Sequence, residues 1–252
     1  MLFDDFDKKM RVYETGSDIC VLPEMFFVAR LDGRSFTKLT KEVMEFEAPY
    51  DVRFRDMMVE TTIALMKCGF NVRFAYIQSD EISLLFDRAE TQFNRKLRKF
   101  NSVLAAEASA RFSLLAGNPA TFDCRISQLP NEELVFDYFR WRSADALRNS
   151  LNSHCYWAMR NSGLSRKQAT RRMIGLSTAC KNDLLFEEFG VNFNDLPAWQ
   201  KRGVGIYWKV IEKDAKNPMT GAVSSVLRRR VFVDFELPVK SVLDELLAHR
   251  MD

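Results

Sequence analysis

Residues 72–86, VRFAYIQSDEISLLF, contain two runs of aromatic, aliphatic and β-branched residues that are separated only by Ser79 and Asp80. Two such runs around a pair of turn-forming residues predict a tight hairpin with strands over 72–78 and 81–86. This hairpin decides the fold because it lies in the middle of a longer pattern that supplies a strand and a helix on each side.

The flanking segments complete the order β-α-β-β-α-β. Upstream, residues 25–32 have the pattern of a strand and residues 52–68 that of a helix. Downstream, residues 91–116 predict one long helix and residues 122–128 an alternating strand. This order is typical of the ferredoxin-like fold. The sequence therefore predicts an α+β protein with an antiparallel sheet of that type.

The second half of the chain is mostly helical. One helix is expected over 132–163, another begins at a capping box at Ser165, and a last one closes the chain. Before this last helix, residues 204–212 and 227–236 predict a second β-hairpin with its turn over 217–221. The second half is thus a helical extension followed by a C-terminal hairpin.

The length and the composition of the chain are typical of a folded protein with a small net charge. The chain has 252 residues, of which 47% are apolar and 28% charged, and its net charge is +3. These values exclude a disordered tail and a strongly basic nucleic-acid binder. No linker interrupts the chain, so we expect one domain over 1–252, with a core of about 5–130 and the extension and hairpin over about 131–252.

Cysteine usage and hydropathy indicate the cellular compartment. The five cysteines are scattered, odd in number and without a CxxC pair, which favours reduced thiols. The first ten residues are acidic and lack an apolar core, so no signal peptide is expected. No run approaches 18 apolar residues, so no membrane span or membrane partner is expected. The sequence predicts a cytoplasmic protein.

Acidic residues occur where two strands of the predicted sheet should meet. The third strand of a ferredoxin-like sheet runs antiparallel beside the first, so Asp32 should approach Asp80 and Glu81. Carboxylates that are brought together usually hold a cation, and Mg²⁺ takes oxygen ligands. We expect Asp80 to be a direct ligand and Glu81 a weaker one, since consecutive strand residues point to opposite faces. The carbonyl of Gly33 is a further candidate ligand.

Basic residues follow the acidic hairpin. Arg95, Lys96, Arg98 and Lys99 fall in the helix predicted over 91–116, where their cations would meet phosphates held by a metal. A solvated helix face is the alternative for this cluster, and turn chemistry is the alternative for the Asp-Gly and Ser-Asp motifs.

Two further basic clusters, Arg140-Trp141-Arg142 and Arg228-Arg229-Arg230, have two possible explanations each. Cations next to aromatic residues suit a nucleic-acid backbone. Trp141 also fits a helical core position, and three arginines in a strand also protect a sheet edge against aggregation.

Five segments, in this order, resemble the tRNA-histidine guanylyltransferase family. They are ARLDGRSFTKL (29–39), AYIQSDEISLLF (75–86), FDCRISQLPN (122–131), DYFRWRSAD (137–145) and CKNDLLFEEF (180–189). The resemblance implies a polymerase-like palm and addition of nucleotides to RNA 5′ ends in the 3′-to-5′ direction. It further implies tRNA and nucleoside triphosphates as partners, two Mg²⁺ ions, ATP or GTP as substrates, and a homotetramer built as a dimer of dimers.

The resemblance also assigns residues to roles. It implies metal ligands at Asp32, Gly33 and Asp80, with Glu81 as a third catalytic carboxylate. Positions implied to contact nucleotide or triphosphate are Gly33, Arg34, Ser35, Phe36, Ser79, Lys96 and Lys99. Positions implied to contact tRNA or a second nucleotide are Arg125, Arg142, Lys181 and Asn182.

Departures from the eukaryotic pattern bear on the branch of the family. Thr37 replaces a histidine, and LRNSLNS (147–153) replaces HINNLYN. These departures favour the Thg1-like branch, which implies template-dependent repair of truncated tRNA. The alternatives are addition of an extra 5′ guanylate (G-1) to histidine tRNA, a palm-type nucleotide cyclase, and a non-catalytic RNA-binding module.

Overall fold

A computed structural model of the chain describes residues 2–216 and 223–251, which form one antiparallel sheet with helices on both faces. The strands are β1 (Phe26–Arg34), β2 (Val72–Gln78), β3 (Glu81–Phe86), β4 (Thr121–Leu129), β5 (Val204–Lys216) and β6 (Val223–Asp234). The helices are α1 (Phe3–Thr15), α2 (Phe36–Lys38, followed by a π-helical turn over Leu39–Val43), α3 (Val52–Leu65), α4 (Leu97–Ala116), α5 (Glu132–Asn161), α6 (Arg166–Met173), α7 (Thr178–Phe189), α8 (Ala198–Arg202) and α9 (Ser241–Met251). No helix of the described residues is long and apolar enough to cross a membrane.

The strand order in the sheet is β4-β1-β3-β2-β5-β6. Its first four strands have the ferredoxin-like order, which confirms the predicted fold class. β5 pairs with the free side of β2, so the predicted C-terminal hairpin continues the same sheet. The predicted turn of that hairpin, at Asn217-Pro218 and Gly221, lies outside the described residues.

Alternation along the strands gives the sheet two separate cores. On one side, which we call the α4 face, Phe27, Ala29 and Leu31 pack against α3 and α4. On the other side, the α5 face, Phe26 and Val28 pack against α5 and α9. Because every second residue of β1 points to the same side, Arg30 and Asp32 follow Val28 on the α5 face. The polar end of β1 is thereby directed at the longest helix.

The helix predicted over 91–116 is wrong at its start. Phe93, Asn94 and Arg95 have φ angles of 51°, 52° and 58°, and the helix begins only at Leu97. Left-handed residues cannot extend a right-handed helix, so these three residues form a separate turn. The guanidinium of Arg95 donates to the carbonyl of Met25 at 2.9 Å, which ties this turn to the start of β1.

The helical extension is built on α5, as the sequence predicts. Asn131 caps α5 by accepting a hydrogen bond from the backbone N–H of Leu134 at 2.9 Å. The predicted capping box of Ser165 and Gln168 is present at the start of α6. A third core, which includes Cys155 and Met159 of α5, joins this helix to α6 and α7. The extension therefore packs on the C-terminal half of α5, whereas the N-terminal half of α5 packs on the sheet.

Candidate active site

The ends of two adjacent strands bring Asp32 and Asp80 together. Asp32 lies directly opposite Glu81 in the β1–β3 pair. One residue further, the backbone N–H of Gly33 donates to the carbonyl of Asp80 at 3.1 Å. The predicted meeting of the end of β1 with the start of β3 is therefore confirmed. Since backbone hydrogen bonds fix both positions, the two carboxylates are neighbours in the folded protein.

No basic side chain among the described residues compensates the charge of Asp80. Burial raises the pKa of its carboxyl, and the negative charge of Asp32 raises this pKa further. Within residues 2–216 and 223–251, no lysine or arginine nitrogen lies within 4.0 Å of the Asp80 carboxylate, whereas Asp32 has Arg125 at 3.8 Å. A cation bound between the two aspartates would relieve this repulsion.

The donor set fits Mg²⁺. Two carboxylates and the Gly33 carbonyl are hard oxygen ligands, and Mg²⁺ typically uses one or two carboxylates together with phosphate and water. The described residues contain no cluster of three or more histidine, cysteine, aspartate or glutamate side chains arranged to hold a metal ion. Such a cluster is typical of structural zinc, whereas two acids beside a cavity suit an ion shared with a substrate.

Glu81 has a different environment from the two aspartates. Its Oε1 lies 2.8 Å from Nε of Arg142, and its Oε2 lies 3.9 Å from Nη1 of Arg30. Both arginine side chains are largely buried, at 5% and 17% exposure. The glutamate charge is thus balanced inside the protein. This agrees with the expectation that Glu81 is a weaker metal ligand than Asp80.

Arg142, which the resemblance implied to contact tRNA or a second nucleotide, is 5% exposed and belongs to a buried network. Besides Glu81, its guanidinium contacts Oδ2 of Asp145 at 3.1 Å. Asp145 also accepts a hydrogen bond from Nε2 of Gln78, which immediately precedes the turn at Ser79. The network joins α5 to the β2–β3 turn. Sequence reasoning missed the role of Asp145, whose i, i+3 spacing from Arg142 was the available signal.

Two cavities meet at the β2–β3 turn. One has a volume of about 260 Å³ and is lined by acids and their partners, including Asp32, Glu81 and Asp145. The other, of about 300 Å³, is lined by six aromatic side chains and also by charged side chains such as Lys41 and Arg55. Ser79, Asp80, Pro49, Tyr50, Ser153 and Trp199 line both. An aromatic cavity beside an acidic one suits a ligand that has a flat apolar part and a charged part.

Gly33 and Phe36 pack closely at the end of β1, and Phe36 lines the cavity of about 300 Å³. A Cβ on Gly33 would lie 2.5 Å from Cδ2 of Phe36, so only glycine allows the backbone to pack on this ring. Phe36 is 2% exposed and packs against Phe112 and Phe122. Ser35 has a φ of 61°, which turns the chain sharply from β1 into α2. Arg34 and Ser35 are exposed at the end of β1.

Lys96 and Lys99 lie at the opposite end of the sheet from the carboxylates. β3 leads the chain away from Asp80, and α4 begins beside Phe27 and Phe86, which contact Phe100. Five residues of β1, or about 17 Å, separate Phe27 from Asp32. Lys96 instead forms an ion pair with Asp18 at 2.7 Å. The expectation that these lysines meet phosphates beside the aspartates is therefore not supported by their placement.

The other residues that were predicted to contact tRNA or a second nucleotide lie in two separate parts of the molecule. Arg125 of β4 is half-exposed beside Asp32 and hydrogen-bonds to Asp123 at 3.0 Å. Lys181 and Asn182 lie on α7 and line a separate cavity of about 700 Å³ between α5 and α7. Arg125 thus lies with the carboxylates, and the Lys-Asn pair lines a cavity of its own.

Fold and site together define a nucleotide-transferring enzyme built on a palm-like sheet. The tRNAHis guanylyltransferase (Thg1) family matches residues 7–130, and the Thg1 C-terminal domain matches residues 133–233. The chain therefore belongs to the tRNAHis guanylyltransferase family, and it is a nucleotidyltransferase. This confirms the family that the sequence motifs indicated.

Known relatives support this assignment across most of the chain. The probable tRNA(His) guanylyltransferase of Mus musculus is 32% identical over 232 residues, covering 86% of this chain and 77% of that protein. The Homo sapiens relative is 34% identical, covering 85% and 77%.

Solved structures agree with the sequence relatives. A bacterial Thg1-like protein in complex with ATP has a TM-score of 0.78 at 30% identity, covering 98% of this chain and 99% of that one. The same kind of protein in complex with GTP has a TM-score of 0.73, with the same identity and coverage. The enzyme of Saccharomyces cerevisiae has a TM-score of 0.72 at 25% identity, covering 78% and 91%.

Proposed function

We propose that this protein is a template-dependent 3′-to-5′ polymerase that adds nucleotides to the 5′ end of truncated tRNA. The observation that carries the proposal is the pairing of Asp32 and Asp80 at the junction of β1 and β3, beside two joined cavities. Relatives named tRNA(His) guanylyltransferase and structural neighbours that hold ATP or GTP support a nucleotide substrate and tRNA as its acceptor.

Asp32, Asp80 and the Gly33 carbonyl would hold two Mg²⁺ ions. When bound, such ions activate an attacking hydroxyl and stabilise the phosphate that departs. In the proposed reaction the RNA 5′-monophosphate first attacks the α-phosphate of ATP or GTP, which forms a 5′–5′ phosphoanhydride and releases pyrophosphate. The 3′-hydroxyl of the incoming nucleotide then attacks the 5′-phosphate of the RNA, a phosphodiester bond forms, and the nucleoside monophosphate of the activating nucleotide leaves.

The protein itself supplies binding and orientation. The aromatic cavity, with Phe36, Tyr50 and Trp199, would enclose a nucleotide base, and its volume of about 300 Å³ is at the lower end for a small-molecule site. Ser79 would place its hydroxyl and backbone at the phosphates where the two cavities meet. Arg125, beside Asp32, would bind an RNA phosphate.

The whole chain would act as one catalytic domain in the cytoplasm. We also propose a homotetramer, arranged as a dimer of dimers. Helix α1 supports association because none of its residues is buried, and Phe3 and Tyr13 are each 77% exposed. Isolated chains rarely expose so much apolar surface on one helix.

The test is an extension assay. A 5′-truncated tRNA with a 5′-monophosphate is incubated with the full-length protein, ATP, the four nucleoside triphosphates and Mg²⁺, and products are resolved by length. We expect the RNA to lengthen, and Asp80→Asn to abolish this. The matched control is Asp56→Asn, which removes an exposed carboxylate on α3 that pairs with Arg55. Extension by Asp80→Asn at the parental rate would show that the metal assignment is wrong.

Addition of G-1 to histidine tRNA is the second candidate, and the names of the relatives favour it. The two activities are compared by giving the enzyme intact histidine tRNA with GTP, or truncated tRNA with all four nucleotides. If the enzyme used intact histidine tRNA efficiently and did not extend truncated tRNA, G-1 addition would be its activity and the repair proposal would be wrong. Nucleotide products formed without RNA would indicate a cyclase, and RNA binding without nucleotide turnover a non-catalytic module.

A further inference from the structure

Trp141 is the aromatic residue of the basic segment Arg140-Trp141-Arg142, and it does not lie in the core. It is 55% exposed, so the helical core position that its spacing also allowed is wrong. A single exposed apolar side chain is common on protein surfaces and by itself indicates no function. The surroundings of this indole, however, are those of a binding surface rather than of an isolated side chain.

Two buried arginines hold the indole in place. The guanidinium carbons of Arg142 and Arg30 lie 4.5 Å and 5.7 Å from the centre of the Trp141 ring. Both guanidiniums also contact Glu81, so both approach the ring from the side of that carboxylate. Tyr138 packs against the indole edge-on, with 5.8 Å between the ring centres. Such cation–π and edge-to-face contacts favour one orientation of a ring. The exposed part of the indole is therefore the face that points away from Glu81.

The indole lies close to Asp32 on the α5 face of the sheet. Glu81, which contacts both arginines, is directly opposite Asp32 in the β1–β3 pair. On the other side of β1, Arg125 is directly opposite Arg30, so the Cβ atoms of these two residues are about 5 Å apart on the same face. The half-exposed guanidinium of Arg125 lies 3.8 Å from Asp32. A free aromatic face, an exposed cation and a carboxylate of the candidate metal site are therefore neighbours.

The cavity that would hold the activating nucleotide is on the other side of the carboxylates. Phe36 and Phe54 line it, and both belong to the core of the α4 face. The proposed reaction needs a second nucleotide at the same place, because the RNA 5′-monophosphate attacks the α-phosphate of ATP or GTP. If the two phosphates meet at Asp32 and Asp80, the base of the RNA 5′-terminal nucleotide is left the α5 side, where Trp141 lies.

We propose that the exposed face of Trp141 stacks on the base of the 5′-terminal nucleotide of the RNA substrate. The proposal rests on the proposed function in that it takes an RNA 5′ end as the substrate. Stacking suits a 5′ end whose base changes with every addition, because each base has a flat aromatic face that an indole can contact. Arg125 would bind a phosphate of the same nucleotide, between the indole and Asp32.

The alternative role of the indole is to cover the two buried arginines, and two substitutions separate the roles. Trp141→Phe keeps an aromatic face, whereas Trp141→Leu keeps an apolar cover without one. The matched control is Leu134→Ala, which removes another exposed apolar side chain from α5.

The assay measures dissociation constants of the full-length proteins for a truncated tRNA with a 5′-monophosphate, in Mg²⁺ and without nucleotides. We expect Trp141→Leu to bind the RNA about tenfold more weakly than the parent, which is the usual size of one stack between a base and an aromatic side chain. Trp141→Phe should stay within about threefold of the parent, because its smaller ring still stacks. Leu134→Ala should bind like the parent, and so would Trp141→Leu if the proposal were wrong.

A second RNA identifies the group that the indole contacts. It is the same truncated tRNA without the base of its 5′-terminal nucleotide. The parent should bind this RNA about tenfold more weakly than the complete one. Trp141→Leu should bind the two RNAs equally, because its stack is already absent. If removal of the base weakened binding to both proteins by the same factor, the indole would have another partner and the proposal would be overturned.

ATP affinity separates the RNA contact from a general defect of the site. Because the base of ATP would lie on the other side of the carboxylates, Trp141→Leu should bind ATP like the parent. Equal losses of ATP affinity and RNA affinity would make the indole a structural cover and would overturn the proposal. The binding measurements require no catalysis. A parent that distinguishes the two RNAs and does not extend the complete one would therefore refute the proposed function alone.

Discussion

Replacing Arg142 with methionine removes the cation that lies between Glu81 and Asp145. The arginine side chain is 5% exposed, and its two partners are 15% and 19% exposed. Removing one partner of a buried ion pair typically costs about 3–5 kcal/mol, because the remaining charge stays buried without compensation. For a chain of this size each kcal/mol lowers the melting temperature by about 2–4 °C. We therefore expect Arg142→Met to melt about 6–20 °C below the parent.

The assay is thermal and urea unfolding of full-length protein in EDTA, so that bound metal does not contribute. Arg142→Met with Glu81→Gln removes both charges of that pair while Asp145 keeps Arg148 at 2.6 Å, so it should recover most of the lost stability. The matched control is Arg148→Met. Arg148 binds the same Asp145 at 2.6 Å, but its side chain is 72% exposed, so its loss should cost less than about 1 kcal/mol. Equal melting temperatures of Arg142→Met and Arg148→Met would refute the reasoning.

Three other predictions concern separate parts of the molecule. Gly33→Ala should lower the free energy of unfolding by about 1–3 kcal/mol, since its Cβ would overlap the ring of Phe36, and urea unfolding measures this. Burial raises the pKa of Cys124 to about 12, so iodoacetamide at pH 8 should modify exposed Cys180 in the native protein and spare Cys124, as read by mass spectrometry; equal labelling would contradict this. A hydrogen bond from a neighbouring arginine lowers the pKa of the α3 cap Asp51 to about 2, so its contribution is present above about pH 4 and lost as pH falls towards 2. Asp51→Ala should therefore cost about 1 kcal/mol at pH 7 and progressively less as the pH approaches 2, and a constant difference in unfolding free energy would contradict this.

The sequence predicted correctly those parts of the fold that turn residues or helix caps delimit. Ser79 and Asp80 separate two apolar runs, and the strands of the structure have the predicted bounds on both sides. Once the ferredoxin-like order is known, the meeting of Asp32 with Asp80 follows from topology alone. The start of α4 had no such signal, because Phe93 and its two successors adopt left-handed angles without being glycine.

The parts of the site that the sequence did not predict depend on the direction in which a strand carries the chain and on how deeply a side chain is buried. Lys96 is 16 residues after Asp80, but β3 carries the chain to the other end of the sheet before Lys96 is reached. Arg142 lies in a basic and aromatic segment that is typical of an RNA contact. The structure shows instead that Glu81, opposite Asp32, is buried and that the Arg142 guanidinium balances its charge. The spacing of residues in the sequence reveals neither the end of the sheet at which Lys96 lies nor the burial of Arg142.

The order of strands in the sheet also matters while the protein is being synthesised. Asp32 and Asp80 are synthesised before β4 and α5, because both precede these elements in the chain. In a chain that ends near residue 100, β1 lacks its outer neighbour, and Glu81 lacks Arg142 as its counter-charge. Such long-range pairings form late because the intervening chain must first be closed into a loop. A chain that ends before residue 142 therefore lacks both the arginine and the aspartate that line the acidic cavity with Asp32 and Glu81.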